Sequence, residues 1–112
     1  MPTQAETAAA FAELHRRDGT FIIPNPWDVG SAILLAHAGF EALATSSAGY
    51  AFTIGKPDGE VGREQTLAHA AEVVAATGLP VSIDLGVHQL PTRDARYARC
   101  SIGARLQPLC NC

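Results

Sequence analysis

The fold is decided around residues 41–62, which read EALATSSAGYAFTIGKPDGEVG. The segment begins as a short apolar strand and then breaks into small hydroxyl residues and glycine at positions 45–49. A long glycine-rich loop is predicted to follow, and it carries Lys56 and Asp58. Ordered loops of this length in compact domains are usually functional. Because small hydroxyl residues after a strand expose backbone N–H groups that can hold an anion, residues 45–49 are a first candidate binding segment.

Helices and strands alternate on both sides of this segment. The hydrophobic spacing predicts helices at residues 4–17, from 29 to a stop at Gly39, and at 63–77. Apolar, mostly β-branched runs predict strands at residues 20–23, 40–45 and 79–84. Continuous apolar strands that alternate with helices indicate parallel pairing with right-handed crossovers. The predicted fold class is therefore α/β, and two architectures begin in this way: a doubly wound sheet and a (β/α)8 barrel.

The residues that follow the strands favour the barrel. A dinucleotide-binding sheet has G-x-G-x-x-G after its first strand, whereas this chain has PNPWDVG at residues 24–30. A barrel collects polar groups at the carboxyl ends of successive strands, as Asn25, residues 45–47 and Asp84 would be. Asp28 is predicted to cap the helix that follows it. Since a complete barrel needs about 250 residues, three strands predict only the N-terminal part of one, about three β/α units.

The composition is that of a globular protein. Of the 112 residues, 47% are hydrophobic and 17% are charged, which is typical of one small folded domain. No apolar run approaches membrane-spanning length, and the amino terminus lacks the basic start and apolar core of a secretory signal. A net charge of −3 provides no basic surface for nucleic acid. We therefore expect a cytoplasmic protein with no nucleic-acid partner and no membrane partner.

The charge pattern changes close to Leu85. Acidic residues outnumber basic ones in residues 1–85, whereas four arginines accompany a single aspartate in residues 86–112. All three cysteines also lie in residues 86–112, and the helical and strand periodicity is lost there. We therefore divide the chain into a partial barrel at 1–85 and an atypical, poorly structured tail at 86–112. The third strand would then leave an unpaired parallel edge, which favours aggregation.

Four motifs in order resemble the isocitrate lyase / phosphoenolpyruvate mutase family. They are FIIPNPWDVGSA at 21–32, GFEALATSSAG at 39–49, GKPDG at 55–59 and LPVSIDL at 79–85. The similarity is greatest to the carboxyphosphonoenolpyruvate mutase-like and methylisocitrate lyase-like branch. The resemblance implies a (β/α)8 barrel, Mg²⁺ as cofactor, and cleavage or rearrangement of C–C or P–C bonds in small α-oxo or 2-hydroxy carboxylates. It also implies that full-length members are homo-oligomers.

The resemblance also implies site residues. The loop after the second strand would hold the substrate carboxylate or oxyanion through Thr45, Ser46, Ser47 and Ala48. Asp58, in the Gly-x-Pro-Asp turn, would lie near substrate, metal and its waters, and Asp84 would serve Mg²⁺ directly or through water. Mg²⁺ prefers hard oxygen ligands and retains several waters, which suits two carboxylates. The catalytic residues themselves stay unassigned.

The resemblance stops at the third strand. The family pattern there is approximately D-L-E-N-G-Y-G, whereas this chain continues from Asp84 and Leu85 with GVH, so the second metal-binding acid is missing. The mobile loop with its catalytic lysine and cysteine is also missing, and Cys100 lacks the surroundings of that cysteine. Because motif, charge and periodicity break together, we expect a frameshift near codon 86 and a truncated family member that is inactive alone.

Two other interpretations stay open. The first is a non-catalytic α/β module that binds a small anion at residues 45–49, and the second is a small enzyme of another class, for which no constellation is visible. On local sequence alone, residues 45–47 and Asp58 are also typical of ordinary turns. His15, His37 and His69 fall within predicted helices and are interpreted as surface or packing residues.

Overall fold

Four helices and three short strands make up the described part of the chain. The computed structural model describes residues 2–85 and, for the backbone alone, residues 100–101. The helices are α1 (Gln4–Arg16), α2 (Val29–His37), α3 (Ser47–Thr53) and α4 (Arg63–Thr77). The strands are β1 (Leu43–Ala44), β2 (Val81–Ile83) and β3 (Cys100–Ser101). None of the described helices has the length and apolar character required to cross a membrane.

The three strands form one sheet in the order β1-β2-β3. β1 and β2 are parallel, with Leu43 opposite Val81, which confirms the predicted parallel pairing. β2 and β3 are antiparallel, with Ile83 opposite Cys100. The prediction of an unpaired edge on the third predicted strand is therefore wrong, because Cys100–Ser101 pairs with it. The other predictions for the tail, including the missing second acid and the role of Cys100, concern positions or side chains outside the described residues.

The predicted first strand, residues 20–23, is wrong. The segment carries no strand, although one backbone hydrogen bond joins its end to β1, from the Ala44 N–H to the Pro24 carbonyl at 3.0 Å. Prolines at 24 and 26 lack N–H groups, so this segment cannot continue a ladder along β1. The other two predicted strands exist but are shorter, at 43–44 and 81–83.

The predicted loop after residue 45 is also corrected, because it contains α3. Ser46 begins this helix as its N-cap, accepting from the Gly49 N–H at 3.1 Å, and Ala51 is fully buried. A helix of 7 residues is marginal alone, so its stability comes from tertiary packing. Two turns of helix are too short to show a hydrophobic period in the sequence.

The helix ends follow the predicted signals. Asp28 caps α2 in a capping box, with its Oδ1 accepting from the Ser31 N–H at 2.7 Å and its own N–H donating to Ser31 Oγ at 3.1 Å. Hydrogen bonding of the carboxylate to the Ser31 backbone N–H, and then to the Ser31 side chain, lowers the pKa of Asp28. α4 ends at Gly78, whose φ of 66° lies in the left-handed region.

A small core holds α2 and α4 against the sheet. Its buried members come from both helices, both parallel strands and the second residue after β2: Ala32, Leu43, Ala70, Val73, Val81, Ile83 and Leu85. Burial alternates along β2, with Val81 and Ile83 buried and Ser82 half-buried. This packing leaves the carboxyl ends of β1 and β2 side by side. Thr45 and Asp84 follow those two ends directly.

Candidate functional site

A narrow cavity lies at the carboxyl ends of β1 and β2. Its volume is about 20 Å³, close to what one water molecule occupies. Five of the predicted site residues line it: Thr45, Ser46, Ser47, Asp58 and Asp84. The sixth, Ala48, is exposed and does not line it. Predicted residues from three separate segments therefore meet where the sequence predicted a binding site.

Thr45 joins the ends of the two parallel strands. Its N–H donates to the Ser82 carbonyl at 2.9 Å, and its Oγ1 accepts from the Asp84 N–H at 3.1 Å. Thr45 is buried, with 6% of its surface exposed, so its hydroxyl is held inside the structure. The side chain therefore fixes the backbone from which the Asp84 carboxylate projects.

Ser47 binds the carboxylate itself. Its Oγ donates to Asp84 Oδ2 at 3.0 Å, across 37 positions of the sequence. Ser47 is the first residue of α3, whereas Asp84 follows β2. The hydrogen bond therefore orients the carboxylate and ties α3 to the sheet.

The other predicted residues have more limited roles. The Ser46 hydroxyl is engaged as the N-cap of α3. Asp58 lies in a tight turn closed by a 3.3 Å hydrogen bond from the Glu60 N–H to the Pro57 carbonyl. The backbone φ of Gly59 is 88°, a value that residues other than glycine rarely adopt. This turn places Asp58 at the cavity.

Two aromatic residues of the site were missed by the sequence analysis. Tyr50 of α3 and His69 of α4 line the cavity and stack on each other, with ring centroids 3.8 Å apart and an interplanar angle of 7°. On the sequence alone His69 was interpreted as a surface or packing residue, and the structure buries it, with 4% of its surface exposed. Its place in the buried stripe with Thr66, Ala70 and Val73 was the available signal.

The buried imidazole is electrostatically unusual. Burial lowers the pKa of His69, and the carboxylates of Glu72 and Asp28 oppose that shift. Its Nε2 atom is buried and has no hydrogen-bond partner within the described part of the chain. Such atoms are rare in folded proteins and call for an explanation.

The oxygen atoms that line the cavity could supply some of the ligands of a hard cation. Asp58 and Asp84 supply carboxylate oxygens, and Ser47 and Thr45 supply hydroxyls. Within residues 2–85, no group of three His, Cys, Asp or Glu residues is arranged to hold a metal ion. Mg²⁺ commonly takes only one or two carboxylates and completes its shell with water and substrate oxygens. These residues therefore fit Mg²⁺ as a partial site.

A larger groove lies elsewhere, beside the residues that precede the strands. It measures about 490 Å³ and lies between α1 and the segments that lead into β1 and β2. Its charged feature is a two-pronged ion pair from Arg17 to Glu41, at 2.7 and 3.1 Å, which lowers the pKa of Glu41. None of the predicted site residues lines this groove, so its size does not make it the functional site.

Comparison with known proteins agrees with the motifs. A sequence model of the family described as phosphoenolpyruvate phosphomutase matches residues 11–88. An uncharacterised protein of Mycobacterium tuberculosis is 34% identical over 76 residues, covering 68% of this chain and 30% of that protein. The 2-methylisocitrate lyase of Halalkalibacterium halodurans is 34% identical over 84 residues, covering 74% of this chain and 28% of the enzyme.

Solved structures show the same relationship. A candidate lyase/mutase from Burkholderia cenocepacia superposes with a TM-score of 0.72 and 65% identity, covering 73% of this chain and 30% of that one. A 2,3-dimethylmalate lyase superposes with a TM-score of 0.62 and 27% identity, covering 70% and 29%. The chain thus spans less than a third of the length of these relatives.

These matches confirm the predicted fold class, an α/β structure that corresponds to part of a (β/α)8 barrel. They also confirm the predicted family, since the match covers most of residues 1–85. The chain belongs to the phosphoenolpyruvate phosphomutase family, within the phosphoenolpyruvate mutase/isocitrate lyase superfamily of lyases and mutases.

Proposed function

We propose that this chain carries part of a lyase or mutase active site, which binds a small α-oxo or 2-hydroxy carboxylate together with Mg²⁺. The observation that carries the proposal is the hydrogen bond from Ser47 to Asp84 inside a cavity that Asp58 also lines. It joins the predicted substrate loop to the predicted metal acid. Two related proteins are named as lyases of 2-methylisocitrate and of 2,3-dimethylmalate, which are both small carboxylates.

The residues that line the cavity have different roles in the proposed site. Asp84 and Asp58 would hold the cation directly or through water, while Ser47 keeps the Asp84 carboxylate oriented. Thr45 fixes the backbone beneath it. Mg²⁺, when bound, stabilises negative charge that develops on substrate oxygens as a C–C or P–C bond breaks. With the carboxylates shielded in this way, the backbone N–H groups of residues 46–48, at the start of α3, can take the substrate carboxylate.

We further propose that the chain binds ligand but does not turn it over alone. The second acid of the family's third-strand motif is absent from the sequence, and the chain covers about 30% of its relatives. Purified chain with Mg²⁺ and oxaloacetate, 2-methylisocitrate or phosphonopyruvate should show no product above background. Turnover of any of the three would contradict this part of the proposal.

The binding site itself is tested by calorimetry with Mg²⁺ and 2-methylisocitrate. Ser47→Ala should weaken binding by roughly tenfold or more, because a hydrogen bond to a charged group is worth about 1.5–3 kcal/mol. Thr7→Ala is the matched control, since it removes a hydroxyl that bonds the Thr3 carbonyl on α1, outside the cavity. Equal affinities for the two variants would refute the assignment of Ser47.

The alternative of a non-catalytic module that binds a small anion at residues 45–49 predicts a different result. The Asp84 carboxylate lies 3.0 Å from Ser47 and repels an anion unless a cation shields it. Binding in our proposal should therefore disappear with EDTA. Phosphate or carboxylate binding that persists in EDTA would favour the anion-binding module.

The tail and the cellular setting complete the proposal. Residues 1–85 are proposed as the partial barrel and 86–112 as an out-of-frame tail, supported by the end of the family match at residue 88. Reading the gene downstream of codon 85 in the other two frames tests this, and the absence of an E-N-G-Y-G continuation would refute it. We also propose a cytoplasmic location, no nucleic-acid or membrane partner, and homo-oligomers for full-length relatives.

A further inference from the structure

His69 is the feature of the cavity that packing alone does not explain. Its side chain is 4% exposed, it lines the cavity beside Asp84, and its Nε2 has no hydrogen-bond partner among residues 2–85. A buried polar atom without a partner lowers the stability of a fold unless a ligand or water satisfies it. The cavity next to it, about 20 Å³, has room for one atom group the size of water.

The surroundings hold the imidazole ring in one orientation. Tyr50 covers one face of the ring in a parallel stack at 3.8 Å. Thr66 lies one helical turn before His69 on α4, and its hydroxyl donates to the Gly62 carbonyl at 3.1 Å. The ring is therefore positioned in advance, so a ligand that meets it loses little conformational entropy.

We propose that His69 is a substrate-binding residue, whose Nε2–H donates a hydrogen bond to a carboxylate oxygen of the bound small carboxylate. Ser47 and Asp84 are bonded to each other, and Thr45 bonds the Asp84 backbone, whereas the Nε2 of His69 is buried without a hydrogen-bond partner among residues 2–85. Burial lowers the pKa of His69 and so favours the neutral imidazole, which donates through one ring nitrogen and accepts through the other; we assign the N–H to Nε2.

His69 can bind substrate only if this cavity is the substrate site, so the inference rests on the proposed function. It adds to that function a contact supplied by α4, from His69 at the lining of the cavity. A carboxylate held between the N–H groups at the start of α3 and His69 would be oriented as well as bound.

His69→Phe is the decisive variant. Phenylalanine retains a ring that can stack on Tyr50 and lacks the ring nitrogens, although it is slightly larger than histidine. The affinity for 2-methylisocitrate with Mg²⁺ should fall by about tenfold or more, as expected for a lost hydrogen bond to a charged group. His69→Gln, which keeps an N–H at similar reach, should recover part of the affinity. His37→Gln is the matched control, because His37 is exposed at the end of α2.

A second measurement needs no variant. In the wild-type chain labelled with ¹⁵N on its histidines, the His69 Nε2 resonance should shift on titration with Mg²⁺ and 2-methylisocitrate, while the His37 resonances stay in place. A purely structural histidine would not respond in this way. This readout also decides the question if His69→Phe fails to fold.

The possible results distinguish a failure of the His69 inference from a failure of the proposed function. If Ser47→Ala weakens binding while His69→Phe binds like wild type and the Nε2 resonance does not move, His69 is a packing residue and the proposed function stands. If the wild-type chain does not bind 2-methylisocitrate at millimolar concentration with Mg²⁺, the inference and the proposed function are both overturned.

Discussion

His69→Phe should make the ligand-free chain more stable. The variant removes a buried nitrogen that has no partner in the described residues, and such an atom costs about 1–3 kcal/mol. Phenylalanine is slightly larger than histidine, and overpacking a full core costs about 1–3 kcal/mol. The cavity of about 20 Å³ beside the ring reduces that cost. We therefore expect a net gain of about 1 kcal/mol, which is about 4 °C in Tm for a chain of this size.

The stability advantage of His69→Phe over the wild type should increase as the pH falls. Because burial lowers the pKa of His69 in the folded chain, the unfolded chain takes up this proton first as the pH falls below about 6.5. Wild-type stability that is present above pH 6.5 is then lost as the pH falls through the folded-state pKa, with a slope of at most about 1.4 kcal/mol per pH unit. The phenylalanine variant lacks this contribution. Glu41, whose pKa is lowered by Arg17, titrates in both proteins and cancels in the comparison, whereas Asp28 interacts with the His69 imidazole and belongs to the measured difference.

Urea unfolding of both proteins from pH 7.5 to pH 5, followed by circular dichroism, measures the difference. His37→Gln again serves as control and should follow the wild type. A variant that is less stable than wild type by the same amount at every pH would show that the imidazole makes a favourable native contact. The reasoning about an unpartnered Nε2 would then be refuted.

Three further predictions concern the fold and are checked by the same urea unfolding at pH 7. Asp28→Ala should cost about 1 kcal/mol because it removes the capping box of α2, whereas Asp28→Asn keeps an equally good cap and should cost little. Leu43→Ala should cost about 3 kcal/mol because Leu43 is fully buried, whereas Leu34→Ala, at a side chain that is 72% exposed, should change stability by less than about 0.5 kcal/mol. Gly78→Ala should destabilise by about 1 kcal/mol because its φ is 66°, whereas Gly30→Ala in α2 should stabilise by about 0.5 kcal/mol. Equal effects within any of these pairs would contradict the corresponding assignment.

Local sequence signals predicted the helix ends well. Asp28 and Gly78 act through hydrogen bonds and backbone angles that depend on their immediate neighbours, so they could be identified from the sequence. The state of residues 20–23 was harder to predict, because a segment becomes a strand only when it pairs with a neighbouring strand. Its neighbour β1 meets it next to Pro24, and only one backbone hydrogen bond forms there.

The site was predicted as separate pieces. Residues 45–47, Asp58 and Asp84 were assigned from strand ends and family motifs, and the structure brings all of them to one cavity. Ala48 was assigned from the same family motif, but it is exposed and does not line the cavity. The hydrogen bond between Ser47 and Asp84 spans 37 positions, so no local pattern could have indicated it.

The sequence by itself determined the α/β alternation, the family and the candidate acids Asp58 and Asp84, because each can be recognised from a short run of residues. Tertiary structure alone decided that residues 47–53 form a helix and that this helix lays Tyr50 against His69. Both depend on contacts between distant segments, since a two-turn helix needs packing to exist and a histidine shows its function only through what surrounds it. The stretch from 41 to 62 is therefore less a loop than a strand, a short helix and a turn, folded around one cavity.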